Sequence, residues 1–174
     1  MKLDHVYYLE NFLSNDEIVL VDKECEQFFW KFYAREENTL PLRTFWQKDL
    51  IDSVFLNSLF KFKVESILNC QIEVARLYGN GQAHGQSAWI HRDIDDVPGK
   101  WGSLVYYSHK NWKPEYGGHL MFVSDDELNV VNSIFPKTNS AVIFDSTMKH
   151  MALEPSVYCK EQRVSIAYKF RIKE

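Results

Sequence analysis

The part of the chain after residue 70 consists of short β-type runs, and this feature restricts the fold more than any other. Side chains alternate from Ile72 to Tyr78 with the period of two typical of a strand, and Gly79-Asn80-Gly81 predicts a turn at its end. Further runs of β-branched and aromatic residues, separated by turn residues, follow at 87–93, 102–108, 118–123, 140–144 and 163–170. Strands at this close spacing predict a β-sandwich or barrel.

The first third of the chain has a helical pattern instead. Ser14 and Glu17 have the spacing of a capping box at a helix N-terminus. Apolar residues then recur in steps of three and four as far as Phe32, as one buried helix face requires. A second helix is predicted from about Asp49 to Leu68. Helices followed by closely spaced strands predict an α+β domain with a mainly β core.

Length and composition limit the class of protein. A chain of 174 residues predicts one domain spanning 1–174, with helical support at about 14–69 and a β-core at about 70–174. The net charge of −4 argues against nucleic acid or a membrane surface as a partner. No apolar run is long enough to span a bilayer, and the N-terminus lacks the pattern of a signal peptide. Since the three scattered cysteines are typical of reduced thiols, we expect a cytoplasmic protein.

A metal site is predicted from three residues in two distant segments. His91 and Asp93 lie in one predicted strand, and its period of two directs both side chains to the same side. His150 follows another predicted strand and is the best candidate for a third ligand. Two histidines and one carboxylate with open positions opposite are typical of non-heme iron(II) oxygenases, and the lack of a thiolate argues against structural zinc. The alternative interpretation is a chance His-x-Asp pair with an unrelated His150.

A buried cation is predicted at the start of the last strand. Arg163 and Ser165 share one face of a predominantly apolar run. A buried charge needs a partner, and the planar guanidinium suits a carboxylate in a bidentate geometry. That carboxylate belongs either to a ligand or to an acidic residue of the protein, and both interpretations stay open at this point.

These residues form an ordered series with further motifs. The series consists of His91-Arg92-Asp93, Val105-Tyr106-Tyr107, Gly117-Gly118-His119-Leu120-Met121-Phe122, Ile134-Phe135-Pro136, Ala141-Val142-Ile143-Phe144-Asp145-Ser146, His150 and Arg163. Over roughly residues 70–172 it resembles the iron(II)- and 2-oxoglutarate-dependent oxygenases, specifically their prolyl 4-hydroxylase-like branch. Tyr78-Gly79-Asn80-Gly81 and the Tyr-Tyr run are especially similar to the protein-prolyl hydroxylases that act in oxygen sensing.

The resemblance implies a fold and a metal. The fold is a double-stranded β-helix, or jelly roll, with the N-terminal helices packed on one sheet. The metal is iron(II), bound by His91, Asp93 and His150 as catalytic ligands. The implied reaction consumes O2 and 2-oxoglutarate, hydroxylates an unactivated C–H bond and releases succinate and CO2, with ascorbate as a candidate reductant.

The resemblance also implies how the cosubstrate binds. Arg163 would bind the distal carboxylate of 2-oxoglutarate, and Tyr107 would donate a hydrogen bond to the same carboxylate. Tyr78 would line the cosubstrate pocket, and Ser165 would add a hydroxyl contact. His84, in a loop flanked by glycine, is a further candidate for substrate contact.

Two classes of substrate and one non-catalytic role fit these motifs. The leading hypothesis is hydroxylation of a prolyl residue in a peptide or protein. The same chemistry on a free amino acid or another small molecule is the alternative among enzymes. A non-catalytic metal-binding interaction module of the same fold is the alternative of a different class. The acidic balance disfavours a nucleic-acid substrate, and the sequence does not indicate the oligomeric state.

Overall fold

Two antiparallel sheets and two helices make up the described part of the chain. The structure is a computed structural model, and it describes residues 5–35, 43–95 and 100–173. The helices are α1 (Asn15–Glu26) and α2 (Val54–Leu68). The strands are β1 (Tyr7–Glu10), β2 (Lys31–Arg35), β3 (Arg43–Asp49), β4 (Ile72–Gln82), β5 (Lys100–Tyr107), β6 (Leu120–Val123), β7 (Val130–Ile134), β8 (Ser140–Asp145), β9 (His150–Ala152) and β10 (Arg163–Ile172).

The two sheets differ in size and in what covers them. The larger has seven strands in the order β1-β8-β5-β10-β4-β3-β2, and the smaller has three in the order β7-β6-β9. Apolar residues of both helices join one buried cluster with residues of the larger sheet. A second cluster joins the opposite face of the larger sheet to the smaller sheet. This arrangement confirms the predicted α+β class with a mainly β core and helices packed on one sheet.

Helix α2 holds the helix-covered face of the larger sheet. Its buried residues recur every four positions, at Leu56, Phe60, Val64 and Leu68. The Phe60 ring centre lies 6.0 Å from that of Tyr106 and 5.9 Å from that of Tyr168. Fully burying a large apolar side chain stabilises a fold by about 1.5–3 kcal/mol, so this contact is a main source of stability.

Polar side chains mark both helix starts. Ser14 and Glu17 form the predicted capping box, in which each side chain binds the backbone N–H of the other residue. Ser53 caps α2 by accepting a hydrogen bond from the N–H of Leu56. Neither described helix is long and apolar enough to cross a lipid bilayer.

The helical segment is shorter than the sequence pattern predicts. Helix α1 ends at Glu26, and Phe32 lies in β2, where its ring centre is 5.2 Å from that of Trp46 in β3. The prediction is wrong here because aromatic residues also favour strands, and the pairing of β2 with β3 decides between the two states. Helix α2 begins at Val54 rather than at about residue 49, since β3 pairs with β4 as far as Asp49.

Two predictions for the β region are also wrong, and one strand was not predicted. Residues 79–81 form no turn, because β4 continues through them to Gln82. A Cβ atom at Gly81 would lie 2.5 Å from the end of the Gln162 side chain, which would have to move to make room for it. The predicted strand at 87–93 is an irregular segment in which only His91 forms a β-bridge. Strand β7 (Val130–Ile134) was not predicted, because four of its five residues are exposed and lack an alternating pattern.

Candidate active site

Backbone pairing brings the two predicted histidine ligands together. The N–H of His91 donates to the carbonyl of His150 at 3.0 Å, and the N–H of His150 donates to the carbonyl of His91 at 2.9 Å. This isolated antiparallel bridge leaves the two imidazole ring centres 4.5 Å apart. Two segments that are distant in the sequence therefore present their rings side by side.

Asp93 completes the cluster. Its N–H donates to the carbonyl of Ser146 at 2.9 Å, which holds the irregular segment against the turn after β8. Asp93 Oδ1 lies 3.5 Å from Nε2 of His91 and 3.8 Å from Nε2 of His150. One ligand atom from each residue lies within 4.8 Å of the other two. Within residues 5–35, 43–95 and 100–173, this is the only group of three His, Cys, Asp or Glu residues so arranged.

Hydrogen bonds to backbone carbonyls orient both imidazoles. Nδ1 of His91 lies 2.8 Å from the carbonyl of Trp89, and Nδ1 of His150 lies 2.9 Å from the carbonyl of Met148. A carbonyl only accepts, so each Nδ1 carries a proton, and in the neutral imidazole the lone pair then lies on Nε2. Burial lowers the pKa of His150 to about 4, so this imidazole is neutral at pH 7. Proteins present histidine to metals in this way.

Two donors hold the Asp93 carboxylate. Ser103 Oγ donates to Oδ2 at 2.6 Å, and Lys169 Nζ donates to Oδ1 at 2.5 Å. The side chains of Asp93 and Lys169 are only 5% and 8% exposed. Burial opposes ionisation, but the contacts with His91, Lys169 and His150 hold the pKa of Asp93 well below its usual value. A carboxylate has about four lone-pair sites, so the ionised group can still bind a metal.

The three residues fit a divalent metal. They offer two imidazole nitrogens and one carboxylate oxygen from one side, and no thiolate takes part. This donor set is the facial triad of non-heme iron(II) enzymes, which leaves positions open for a cosubstrate and oxygen.

Arg163 forms a second pole of the site, the first being the cluster of His91, Asp93 and His150. One hydrogen-bond donor of its guanidinium is unused. Its side chain is almost fully buried, at 1% exposure. Nε donates to the carbonyl of Gly118 at 2.7 Å, and Nη1 donates to Oε1 of Gln82 at 2.8 Å. Nη2 has no hydrogen-bond partner in the part of the chain that the structure describes. Neither partner is an acid, so the charge of Arg163 fits a carboxylate brought by a ligand.

Tyr107 offers a second unused donor beside Arg163. Its ring centre lies 5.2 Å from the guanidinium carbon of Arg163, and its buried hydroxyl has no hydrogen-bond partner among the described residues. Burial raises the pKa of Tyr107 to about 12, so the hydroxyl keeps its proton and can donate. Buried polar groups are rarely left unpaired. Arg163 lines the cavity and fits a carboxylate group of a ligand, and Tyr107 lies beside it.

One cavity of about 200 Å³ reaches both poles of the site. His91, Asp93 and His150 form part of its wall, and so does Arg163. Tyr78 and Ser165 also line it, because β4 and β10 pair in a register that directs alternate residues to this face. Tyr107 and His84 are not part of the wall. Nδ1 of His84 lies 3.1 Å from the carbonyl of Pro155 instead.

Sequence reasoning missed Lys169, Gln82 and Ser103. A signal existed for Lys169, because it continues the period-two series of Arg163 and Ser165 along β10. Gln82 and Ser103 had no such signal. Gln82 contacts Arg163, which is 81 positions away, and Ser103 contacts Asp93, which is 10 positions away. Only the folded chain brings these residues together.

Residues 73–171 match the sequence model of the 2OG-Fe(II) oxygenase superfamily. The chain belongs to this superfamily. Iron(II) and 2-oxoglutarate are the metal and cosubstrate of this family, and the two poles of the cavity fit them. No curated protein sequence matches this oxygenase.

Solved structures share the fold of the oxygenase at low sequence identity. One is a Trichoplax adhaerens prolyl hydroxylase in complex with a peptide fragment of the hypoxia inducible factor oxygen degradation domain. Its TM-score is 0.70 at 18% identity, over 95% of this chain and 83% of that chain. Another is a Pseudomonas putida prolyl-4-hydroxylase, with a TM-score of 0.61 at 16% identity over 97% and 93%.

A third solved structure is HygX from Streptomyces hygroscopicus with nickel, 2-oxoglutarate and hygromycin B bound. Its TM-score is 0.68 at 11% identity, over 95% of this chain and 82% of that chain. Together these matches confirm the double-stranded β-helix fold. One of them is in complex with a peptide, and another has a small molecule, hygromycin B, bound.

Proposed function

We propose that this oxygenase hydroxylates an unactivated C–H bond of a prolyl residue in a peptide or protein, with conversion of 2-oxoglutarate and O2 to succinate and CO2. The observation that carries the proposal is one cavity whose wall contains both the His91, Asp93 and His150 cluster and the buried, incompletely bonded Arg163. Neither pole alone requires an oxygenase, but a metal triad and a carboxylate-binding group in one cavity match this chemistry.

Each residue at the metal pole would have a defined role. Nε2 of His91, Nε2 of His150 and a carboxylate oxygen of Asp93 would hold iron(II) from one side. When bound, the iron supplies the redox access to oxygen that side chains lack. The carbonyls of Trp89 and Met148 keep both imidazoles in the ligating tautomer, and Ser103 fixes the second carboxylate oxygen.

The cosubstrate pole anchors the other end of 2-oxoglutarate. Arg163 Nη2 and the Tyr107 hydroxyl would donate to its distal carboxylate, while Gly118 and Gln82 hold the guanidinium in place. Tyr78 and Ser165 would line the space between the poles. Each charge-assisted hydrogen bond contributes about 1.5–3 kcal/mol, so loss of Arg163 should weaken cosubstrate binding by at least about tenfold.

The prolyl assignment rests on motif and fold similarity. The series around Tyr78 and Tyr107 resembles the protein-prolyl hydroxylases, and two of the similar structures are prolyl hydroxylases. A small-molecule substrate is the second candidate, since a structure of the same fold holds hygromycin B. A non-catalytic interaction module is less consistent with the site, because it needs no uncompensated guanidinium beside a metal triad.

Succinate formation tests the proposal. Protein with iron(II), 2-oxoglutarate and ascorbate is incubated with proline-containing peptides, with free proline, or with neither. We expect peptide-dependent succinate and a peptide mass increase of one oxygen atom. Arg163→Met should require at least about ten times more 2-oxoglutarate, whereas Arg171→Met, at an exposed arginine of the same strand, should not. Turnover of free proline alone would favour the small-molecule alternative, and no succinate under any condition would contradict the proposed function.

A further inference from the structure

The cavity wall is positively charged, although the chain has a net charge of −4. Its described lining residues include four cations, namely Arg76, Arg92, Arg163 and Lys169. Asp93 is the one acidic residue among them. A cleft lined by one sign of charge focuses the field and concentrates ligands of the opposite sign. The wall therefore favours anionic ligands more strongly than the overall composition indicates.

Three of the four cations have a partner or an assigned ligand. Lys169 contacts Asp93, and Arg92 Nη2 lies 2.7 Å from Asp125 Oδ1. Arg163 serves the cosubstrate in the proposed function, on which the next step rests. Arg76 is different, because no carboxylate of the described residues lies within ion-pair distance of it. The cosubstrate therefore leaves one positive charge of the wall uncompensated.

The Arg76 side chain is exposed, so its guanidinium needs no protein anion for stability and is accessible to a ligand. Arg76 on β4 lies directly opposite Lys169 on β10, and both residues line the cavity. Like charges directly opposite on neighbouring strands are destabilising. Asp93 takes the ammonium of Lys169, which leaves the guanidinium of Arg76 beside a cation without an anion of its own. An anion bound here would relieve that repulsion.

The guanidinium of Arg76 lies over the ring of Tyr78. Its central carbon lies 4.8 Å from the ring centre of Tyr78, which is stacking distance. A stacked arginine keeps its N–H groups free in the plane of the fork, and this geometry suits a carboxylate. Arg76 and Tyr78 line the same cavity as the metal triad, so a carboxylate held by Arg76 would lie in the cavity that also contains the metal pole.

We propose that Arg76 binds a carboxylate of the substrate and selects for acidic substrates. In the peptide substrate of the proposed function, this carboxylate is the side chain of an Asp or Glu next to the prolyl residue. In a free amino acid it is the α-carboxylate. Arg76 is thus a specificity-determining residue for the substrate, distinct from Arg163, which serves the cosubstrate.

Equilibrium binding tests this proposal without turnover. Protein loaded with zinc(II) and 2-oxoglutarate is titrated into short fluorescent peptides that differ only by Glu or Gln beside proline. A second pair, free proline and prolinamide, is titrated by calorimetry. The variants are Arg76→Gln, the charge-conserving Arg76→Lys and the matched control Arg171→Gln, an exposed arginine on β10 outside the cavity wall.

We expect the carboxylate-bearing member of one pair to bind at least about tenfold more tightly, and this preference to weaken as salt rises from about 50 to 500 mM. Arg76→Gln should remove the preference, Arg76→Lys should restore part of it, and Arg171→Gln should leave it intact. The responding pair identifies the source of the carboxylate, and either source supports the proposal.

Three results would overturn the role of Arg76. The first is that neither pair shows a preference for its carboxylate-bearing member. The second is that Arg76→Gln shows the same preference as the parent. The third is that Arg76→Gln loses as much affinity for 2-oxoglutarate as for the carboxylate-bearing ligand. Because zinc supports no turnover, a charge preference can be measured in a protein that makes no succinate. Failure of the proposed function and failure of this inference are therefore separate outcomes.

Discussion

The two faces of strand β10 have opposite chemistry over the same ten residues. Ile166, Tyr168 and Phe170 lie in the apolar cluster under the helices. Arg163 and Lys169, on the other face, are equally buried but line the cavity. The helix-covered face is stabilised by removal of apolar area from water. The cavity face depends on specific partners, some of which the chain itself does not supply.

This difference separates stability from function within one strand. On the helix-covered face any well-packed apolar residue of similar volume serves. On the cavity face, buried charges cost stability unless a ligand or a distant residue compensates them. Substitutions on the two faces should therefore affect different measurements, and the following experiments test that separation.

The largest effect is expected for loss of a metal ligand. His91→Ala removes one of three donors from the cavity face. Losing a group that only orients a ligand costs about 10- to 100-fold in metal affinity, so losing the ligand itself should cost more and abolish succinate formation. Manganese(II) titration calorimetry measures the affinity. The free energy of unfolding without metal should stay within about 1 kcal/mol of the parent, because this side chain is partly exposed.

His84→Ala is the matched control for this substitution, since His84 is exposed and lies outside the cavity wall. It should retain full metal affinity. Equal metal affinity in parent and His91→Ala would contradict the assignment of the ligands.

The next effect is expected on the helix-covered face. Phe60→Ala leaves a void between α2 and the sheet and should lower the free energy of unfolding by about 3–5 kcal/mol. Urea denaturation measures this loss. Manganese affinity of the folded variant should stay within about twofold of the parent. Phe62→Ala, at an exposed position on the same helix, should change stability by no more than about 0.5 kcal/mol. If Phe60→Ala stays folded but loses manganese binding, the two faces do not separate stability from function.

Lys169→Met tests a charge on the cavity face that acts on stability. The substitution leaves the buried Asp93 without its ammonium partner, and breaking such a pair costs about 3 kcal/mol. A divalent metal supplies the missing positive charge. Manganese(II) should therefore raise the melting temperature of Lys169→Met by more than that of the parent.

Differential scanning calorimetry with and without manganese measures this difference, and Lys173→Met at an exposed lysine is the control. Equal stability of parent and Lys169→Met in the absence of metal would show that the ion pair does not stabilise the fold.

A smaller effect is expected from pH. His109 is buried, with Nε2 2.7 Å from the carbonyl of Pro136. Burial lowers its pKa from 6.5 to about 4. The unfolded chain therefore takes up a proton below pH 6.5 that the folded chain does not bind until about pH 4. The contribution of His109 to stability is therefore fully present above pH 6.5. As the pH falls from 7 to 5, the free energy of unfolding should decrease by about 2 kcal/mol because of this residue.

In His109→Gln, which keeps a donor for Pro136, the decline between pH 7 and pH 5 should be smaller by that amount. Urea midpoints at the two pH values measure it. Parallel pH curves for parent and variant would rule out His109 as the source.

Local chemistry made part of the fold predictable. The capping box at Ser14 depends on residues three positions apart, and the two faces of β10 follow from a period of two. The ordered motif series also identified Arg163 and the three metal-ligand candidates before any geometry was known. These features are readable because each depends on neighbours in the chain or on a resemblance with fixed order.

Features that depend on distant partners were not predictable. Phe32 fits a helix and a strand equally well by pattern, and its pairing with Trp46 decides. His91 and Asp93 were assigned to one strand, but an irregular segment brings them together through bonds to His150 and Ser146. Arg76 and Lys169 became a pair only through the register of β4 and β10.

The reciprocal backbone bridge between His91 and His150 has a mechanical consequence. It joins two chain segments that are far apart in sequence, and it lies immediately beneath the ligand atoms. An ion bound by both rings would strengthen this bridge, because separating the two segments would then require breaking coordinate bonds as well as two hydrogen bonds. Loading the metal should thus slow amide exchange at His91 and His150, whose N–H groups form the bridge.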